Sequence, residues 1–282
     1  MRKAVRVVVL VFLGVLSTAV MGVVTALMSA ISLAATALIV PGTGTPNANI
    51  VTNYMENAAD RYIAPFSDPT CTSTNGCTLT GIDYPASFFP FVILRGWCVP
   101  GRCETWNTSV EEGVDGLYTA LQGVTDPDGA ILFGYSQGGA VVSNTLRRLE
   151  GDPLINKVDS VVLIGNAYNP DGGLFTRLGF LPTIPFLNIT FGPATPTDIP
   201  QLAGKITSIG FEYDPVIYAP LYWGNPLAML NALAAFETVH GQYLAGPNRP
   251  GTGTLPYGYT EEELEAILDT RCPGAYCRLD AA

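Results

Sequence analysis

Apolar residues recur along this chain in two rhythms. Unbroken runs, ATALIV at 35–40, GAILFGY at 129–135 and VDSVVLIGNAY at 158–168, read as strands buried on both faces. KITSIGFEYDPVIYAP at 205–220 returns to strand character, and FFPFVI at 88–93 is a weaker strand because Pro90 interrupts it. Between these runs the spacing turns helical: over 50–64, at Val110, Val114, Leu117 and Leu121, at Val142, Leu146 and Leu149, through LAMLNALAAFETV at 227–239, and at Leu264, Ile267 and Leu268. Ser109 with Glu112, and Thr260 with Glu263, have the spacing of capping boxes, and Asn225-Pro226 supplies an N-cap and a first helical residue. Strands alternating with helices predict a mostly parallel central sheet flanked by crossover helices. Residues 169–200 break the rhythm. They are rich in Pro and Gly yet apolar, which fits a lid or binding loop, or an irregular excursion over the core.

The N-terminus stands apart. Arg2, Lys3 and Arg6 precede an uncharged run over 7–31, with small residues at Ser32, Ala34 and Ala35. Residues 1–34 are expected to be a signal peptide or an uncleaved membrane anchor, and 35–282 the folded domain. Either reading exports the domain, anchored and facing outward or free in the cell envelope or beyond. The 282 residues suit one large domain. The net charge of −10, with no basic patch, argues against nucleic-acid binding. Six cysteines fall into close pairs, Cys71–Cys77, Cys98–Cys103 and Cys272–Cys277. Short-range pairing is the simplest of 15 connectivities, in an oxidising compartment. With His240 as the only histidine and no C-x-x-C, no metal site is expected. Asn107 and Asn188 both stand in N-x-Ser/Thr contexts.

Candidate chemistry centres on Gly134-Tyr135-Ser136-Gln137-Gly138, between a predicted strand and a predicted helix. Gly-x-Ser-x-Gly in that setting is the nucleophile elbow, in which a sharp turn lifts the serine hydroxyl above the sheet. The alternative is a plain glycine turn. A serine hydroxyl needs a base, and His240, downstream at a helix end, is the candidate. The acid that orients such a base is expected between the two. Asp214 closes a predicted strand and so lies at a carboxyl end, where ligand-facing groups collect, with Glu212 in reserve. Asp152 and Asp159 lie at the wrong end, and Asp171 and Asp198 in the excursion. Backbone N–H groups of Gln137 and of Thr43, in the PGTGTP loop, are the expected oxyanion donors.

The blocks TALIVPGTGTP, YPAS, SVEEGVDGL, FGYSQGG, YDPVIYAP and NALAAFETVHGQYL, in order over about 35–245, resemble the PE-PPE domain, a cutinase-related serine hydrolase module. The resemblance implies an α/β-hydrolase fold, a Ser136-Asp214-His240 triad, and esterase, lipase or acyltransferase activity on acyl lipids of the cell envelope. No cofactor is required. A hydrophobic N-terminal segment stands where such modules usually follow a PE or PPE helical region, resembling membrane-bound members. The rival reading is a non-catalytic envelope-binding module on the same fold. Acceptor, acyl length and oligomeric state are not legible in the sequence.

Overall fold

A computed structural model of the chain describes residues 35–67, 70–91, 98, 100–126, 128–245, 255–272 and 276–280. The expected signal or anchor over 1–34 lies outside the described residues. Among the described residues no helix is long and apolar enough to cross a membrane.

Six strands form one parallel sheet in the order β2-β1-β3-β4-β5-β6. They are β1 (Ala35–Val40), β2 (Cys77–Gly81), β3 (Ala130–Tyr135), β4 (Val158–Ile164), β5 (Ile206–Phe211) and β6 (Tyr276–Leu279). The helices of four residues or more with α geometry are α1 (Tyr54–Ala58), α2 (Trp106–Gly123), α3 (Gln137–Arg148), α4 (Leu174–Arg177), α5 (Pro226–Thr238) and α6 (Glu261–Arg271). α1 runs on into a wider π turn over Ala59–Ile63.

The central strands are buried at nearly every position because both faces of the sheet are covered. Alternation divides them. Leu38, Val40, Leu132, Val161 and Leu163 pack toward Leu117 and Leu121 of α2 and Val142 and Leu146 of α3. Ala37, Ile39, Ile131, Phe133, Ile164 and Phe211 pack toward Tyr54 and Tyr62 on one side and Leu264 and Leu268 of α6 on the other. This is the α/β-hydrolase architecture, with helices on both faces of the sheet. From β1 the chain moves outward to edge strand β2 and then returns past β1 to β3. The crevice at the carboxyl ends of β1 and β3 is therefore the topological switch point, where open α/β sheets bind ligands.

The three predicted cysteine pairs are bonded as Cys71–Cys77, Cys98–Cys103 and Cys272–Cys277. Cys77 opens β2 and Cys277 lies in β6, so each edge strand carries a bond to the segment just before it. Two local expectations are corrected. Helix α2 begins at Trp106 after Thr105, so Ser109 is no N-cap. It is buried within the helix, where its Oγ accepts from Ser87 N–H (3.1 Å) and donates to Gln137 Oε1 (3.2 Å). The FFPFVI run forms a single bridge, Phe89 to Thr105, and its residues 92–93 lie outside the described set. The other caps form as read: Asn225 Oδ1 takes the N–H groups of Leu227 and Ala228, and Thr260 and Glu263 make a reciprocal capping box.

The apolar excursion 169–200 is fastened to the helices along its second half. Asn107 of α2 donates to Asn188 Oδ1 (3.1 Å) and Thr190 Oγ1 (2.9 Å) and accepts from Thr190 N–H (2.9 Å). Arg147 of α3 donates to the carbonyls of Pro193 and Ala194. The stretch just before these ties is exposed, with Phe180 and Phe186 more than three-quarters accessible.

Candidate active site

Strand β3 ends at Tyr135, and α3 begins at Gln137, so Ser136 alone makes the turn. Its backbone has φ 54° and ψ −116°, outside the regions open to ordinary L-residues, at a cost of about 1–3 kcal/mol. The surroundings enforce this conformation. A Cβ on Gly134 would stand 2.7 Å from Gly138 O, and one on Gly138 would stand 2.1 Å from Val40 O. Strand, turn and helix can approach this closely only because both positions are glycine. Ser136 itself is half-buried, its hydroxyl reachable at the carboxyl end of β3.

The other two side chains arrive from the far half of the chain. Asp214 lies three residues past β5, beyond the strand end the sequence suggested, in a turn where Tyr213 takes φ 65°. His240 follows the end of α5, as expected for a helix boundary. His240 Nε2 is 2.9 Å from Ser136 Oγ, and His240 Nδ1 is 2.9 Å from Asp214 Oδ2. Asp214 is fully buried and His240 nearly so. Glu212, the reserve acid, faces elsewhere and pairs with Arg278 (3.3 Å). Among the described residues no cluster of His, Cys, Asp or Glu could hold a metal ion.

Several residues around the site were not singled out by the sequence reading. Asp214 Oδ1 accepts from Val216 N–H (2.8 Å), and Oδ2 accepts a second bond from Tyr243 Oη (2.7 Å). Burial pushes the Tyr243 phenol well above its ordinary value, and the adjacent Asp214 charge adds to the rise. The imidazole is held between rings. Phe236 stacks on it at 5.4 Å, and Tyr135 lies 5.5 Å away with its hydroxyl donating to the His240 carbonyl. Gly165, just past β4, has φ 52°, and a Cβ there would come within 3.0 Å of His240 Cε1. The motif H-x-x-Y at 240–243 was the signal available for Tyr243. A tyrosine beside leucine in an apolar stretch reads equally well as plain core.

The loop after β1 passes directly over the serine: a Cβ on Gly42 would be 3.1 Å from Ser136 Cβ. Within that loop Gly42 N–H donates to Tyr54 Oη, Gly44 N–H to Ala86 O and Thr45 N–H to Gly42 O. The Thr43 amide, like that of Gln137 at the head of α3, has no acceptor among the described residues.

An elbow serine at the switch point of a parallel sheet, with an imidazole and a buried carboxylate in series behind it, defines this molecule as an α/β-hydrolase. The PE-PPE domain model matches residues 75–257, and the chain belongs to that family. It is similar to "Esterase PE16" of Mycobacterium tuberculosis, 34% identical over 83% of this chain and 42% of that one. It is also similar to "SL1278 acyltransferase Chp1" of the same species, 29% identical over 73% of this chain and 46% of that one. The chain spans about a third to a half of the length of the curated relatives it matches. Among solved structures it aligns with "a novel cutinase-like protein from Cryptococcus sp.", 15% identical, TM-score 0.46, over 86% of this chain and 97% of that one.

Proposed function

We propose that this protein is an exported serine hydrolase that cleaves carboxylic esters of acyl lipids through an acyl-enzyme on Ser136. In this reading His240 Nε2 takes the proton from Ser136 Oγ as the oxygen adds to the ester carbonyl. Asp214 holds Nδ1–H, fixes the tautomer and stabilises the imidazolium. The developing oxyanion lies against the N–H groups of Gln137 and Thr43, neither of which has an acceptor among the described residues. Losing one such donor costs about 3 kcal/mol in typical hydrolases. His240 then returns the proton to the departing alcohol, leaving the acyl group on Ser136. Water or a sugar hydroxyl resolves the ester, which separates an esterase or lipase from an acyltransferase. No cofactor enters either route.

The observation that carries this reading is the bonding of the chain's single histidine. Both ring nitrogens are engaged, one by a strained elbow serine and one by a buried aspartate. An acyl substrate is supported by the surface beside the site. Residues 221–236 carry no charge. Leu221, Tyr222, Leu227, Leu230 and Leu233, on and just before helix α5, which ends two residues before His240, are all more than half exposed. The relatives named as an esterase and as an acyltransferase favour the same substrate class. The disulfides favour an extracellular or cell-envelope setting.

The test is a series of nitrophenyl acyl esters of increasing chain length, with and without an added glycolipid acceptor. The expected result is a burst equal to the enzyme concentration, followed by turnover, both lost in Ser136→Ala. Acylated glycolipid identifies transfer, and free acid alone identifies hydrolysis. Failure of folded protein to cleave any member of the series would overturn the reading.

A further inference from the structure

The acid–base pair at the site is completed by a third group. Asp214 Oδ2 takes two hydrogen bonds, from His240 Nδ1 at 2.9 Å and from Tyr243 Oη at 2.7 Å. A turn of 3₁₀ helix over His240–Gln242 sets residues 240 and 243 on one side of the backbone. Imidazole and phenol therefore meet the same carboxylate oxygen.

The direction of the phenol bond follows from its neighbours. Phe211 N–H, at the end of β5, lies 2.9 Å from Tyr243 Oη. A backbone N–H can only donate, so it occupies a lone pair of the phenol oxygen and leaves the phenol proton for Asp214. Val216 N–H donates to Oδ1. With both carboxylate oxygens already accepting, the bond from His240 Nδ1 is a donor bond as well. Nε2 is then the free base facing Ser136. The series runs Phe211 N–H to Tyr243 Oη–H to Asp214 Oδ2, with His240 Nδ1–H donating to the same atom. Each hydrogen bond polarises the next. The phenol stays protonated across the working range, because burial and the adjacent carboxylate hold its ionisation well above the ordinary value.

We infer that Tyr243 is a positioning residue that keeps Asp214 an oriented, fully bonded carboxylate and so fixes the tautomer of His240. Tyr243 touches no reacting atom. Its ring is locked by Phe211 edge-on at 4.9 Å and by Tyr62 at 6.3 Å, and its carbonyl accepts from Tyr62 Oη at 2.9 Å. The other ionisable groups facing the pair are Tyr135 of β3, against the imidazole, and Tyr218 and Tyr257, which feel the Asp214 charge. Arg278 and Asp171 act on Tyr218, and Glu212 acts on Tyr257.

The role attached to His240 rests on the proposed function, but the test does not depend on activity. His240 is the only histidine, so the imidazole signals of ¹⁵N-histidine protein need no assignment. In the wild type the neutral ring is expected as the Nδ1–H tautomer. The Nε2–H tautomer there would overturn the inference whether or not any variant folds. Tyr243→Phe keeps the ring and removes only the hydroxyl. Asp214 then loses a donor and orients Nδ1–H less firmly, so a share of the neutral ring moves to the Nε2–H tautomer. Fluorophosphonate labelling slows about tenfold, as for other outer-shell partners. An unchanged tautomer and labelling rate, with only a lower Tm, would reduce Tyr243 to packing and overturn the inference. Absence of labelling in folded wild type would instead count against the hydrolase reading, while the histidine spectra still decide the case for Tyr243.

Discussion

The Cβ that Gly138 lacks would stand 2.1 Å from the carbonyl oxygen of Val40. That gap ties the first turn of α3 to the end of β1 and sets the height of Ser136 above the sheet. The obstacle is backbone on a central strand, which cannot move aside. Gly138→Ala is therefore expected to destabilise the domain by about 3 kcal/mol or more, with loss of soluble protein or a large fall in Tm. A variant with wild-type Tm would show that the elbow is looser than this geometry requires.

Asp214→Asn removes the negative charge behind His240 and offers an N–H₂ where Tyr243 and Nδ1 both donate. Labelling of Ser136 by an activated phosphonate should fall about 10³- to 10⁴-fold, as in catalytic triads with the wrong tautomer. The comparison is of second-order inactivation rates at fixed pH, with circular dichroism confirming the fold. A loss below tenfold would move the acid's role to another residue.

The sequence pointed to three side chains that the structure brings together, because each has a sharp constraint. Ser136 sits in a pentapeptide that is useful only between a strand and a helix, and His240 has no competitor. Asp214 was identifiable by its nearness to a strand end, although β5 stops at Phe211 and a turn carries the acid further. The supporting shell was not legible. Tyr243, Tyr135 and Gly165 act through contacts made by chain folding, and in sequence they look like core and loop. Strands β2 and β6 were missed because CTLTG and YCRL are short edge strands without an apolar run, placed by their disulfides and one ladder each. Ser109 was misread because a serine followed by glutamate three residues on imitates a cap. Its hydroxyl serves Ser87 and Gln137 instead.

Asn107 and Asn188 match a glycosylation pattern, yet their amides are spent on each other and on Thr190, Thr105 and Thr108. Their role is to staple the apolar excursion to α2. Asn107→Ala should cost about 1–2 kcal/mol and expose the segment around 179–190 to protease cleavage under conditions that leave the wild type intact. Mapping the first cleavage by mass spectrometry checks this. Cleavage elsewhere would place the weak point outside the excursion.

Alkaline pH should unfold the protein through its buried phenols. Tyr62, Tyr84 and Tyr243 are almost fully buried, and desolvation raises all three above the ordinary value of 10. Above that pH the unfolded chain loses these protons while the folded one keeps them. The unfolded state then binds fewer protons, so stability is fully present below pH 10 and falls as pH rises. The slope approaches about 1.4 kcal/mol per pH unit for each phenol still protonated only in the fold. Guanidinium unfolding at pH 8, 10 and 11 measures it. A midpoint that does not change from pH 8 to 11 would mean these phenols ionise in the folded state.

The disulfides at β2 and β6 each close a short loop on an edge strand. By chain entropy each is worth about 2 kcal/mol. Cys272→Ser with Cys277→Ser should lower Tm and loosen β6 while leaving the Ser136–His240–Asp214 bonding in place, because β6 pairs only with β5. The check is amide exchange on β6 alongside the rate of phosphonate labelling. Loss of labelling in folded protein would show that the edge supports the site directly.

The central claim, that Ser136 is an activated nucleophile, is tested most directly by mass spectrometry of protein treated with a fluorophosphonate at neutral pH. The account predicts a single adduct on the peptide containing Ser136, formed on the wild type and absent from Ser136→Ala and His240→Ala. A folded wild-type protein that takes up no adduct, or takes it on another residue, would contradict it.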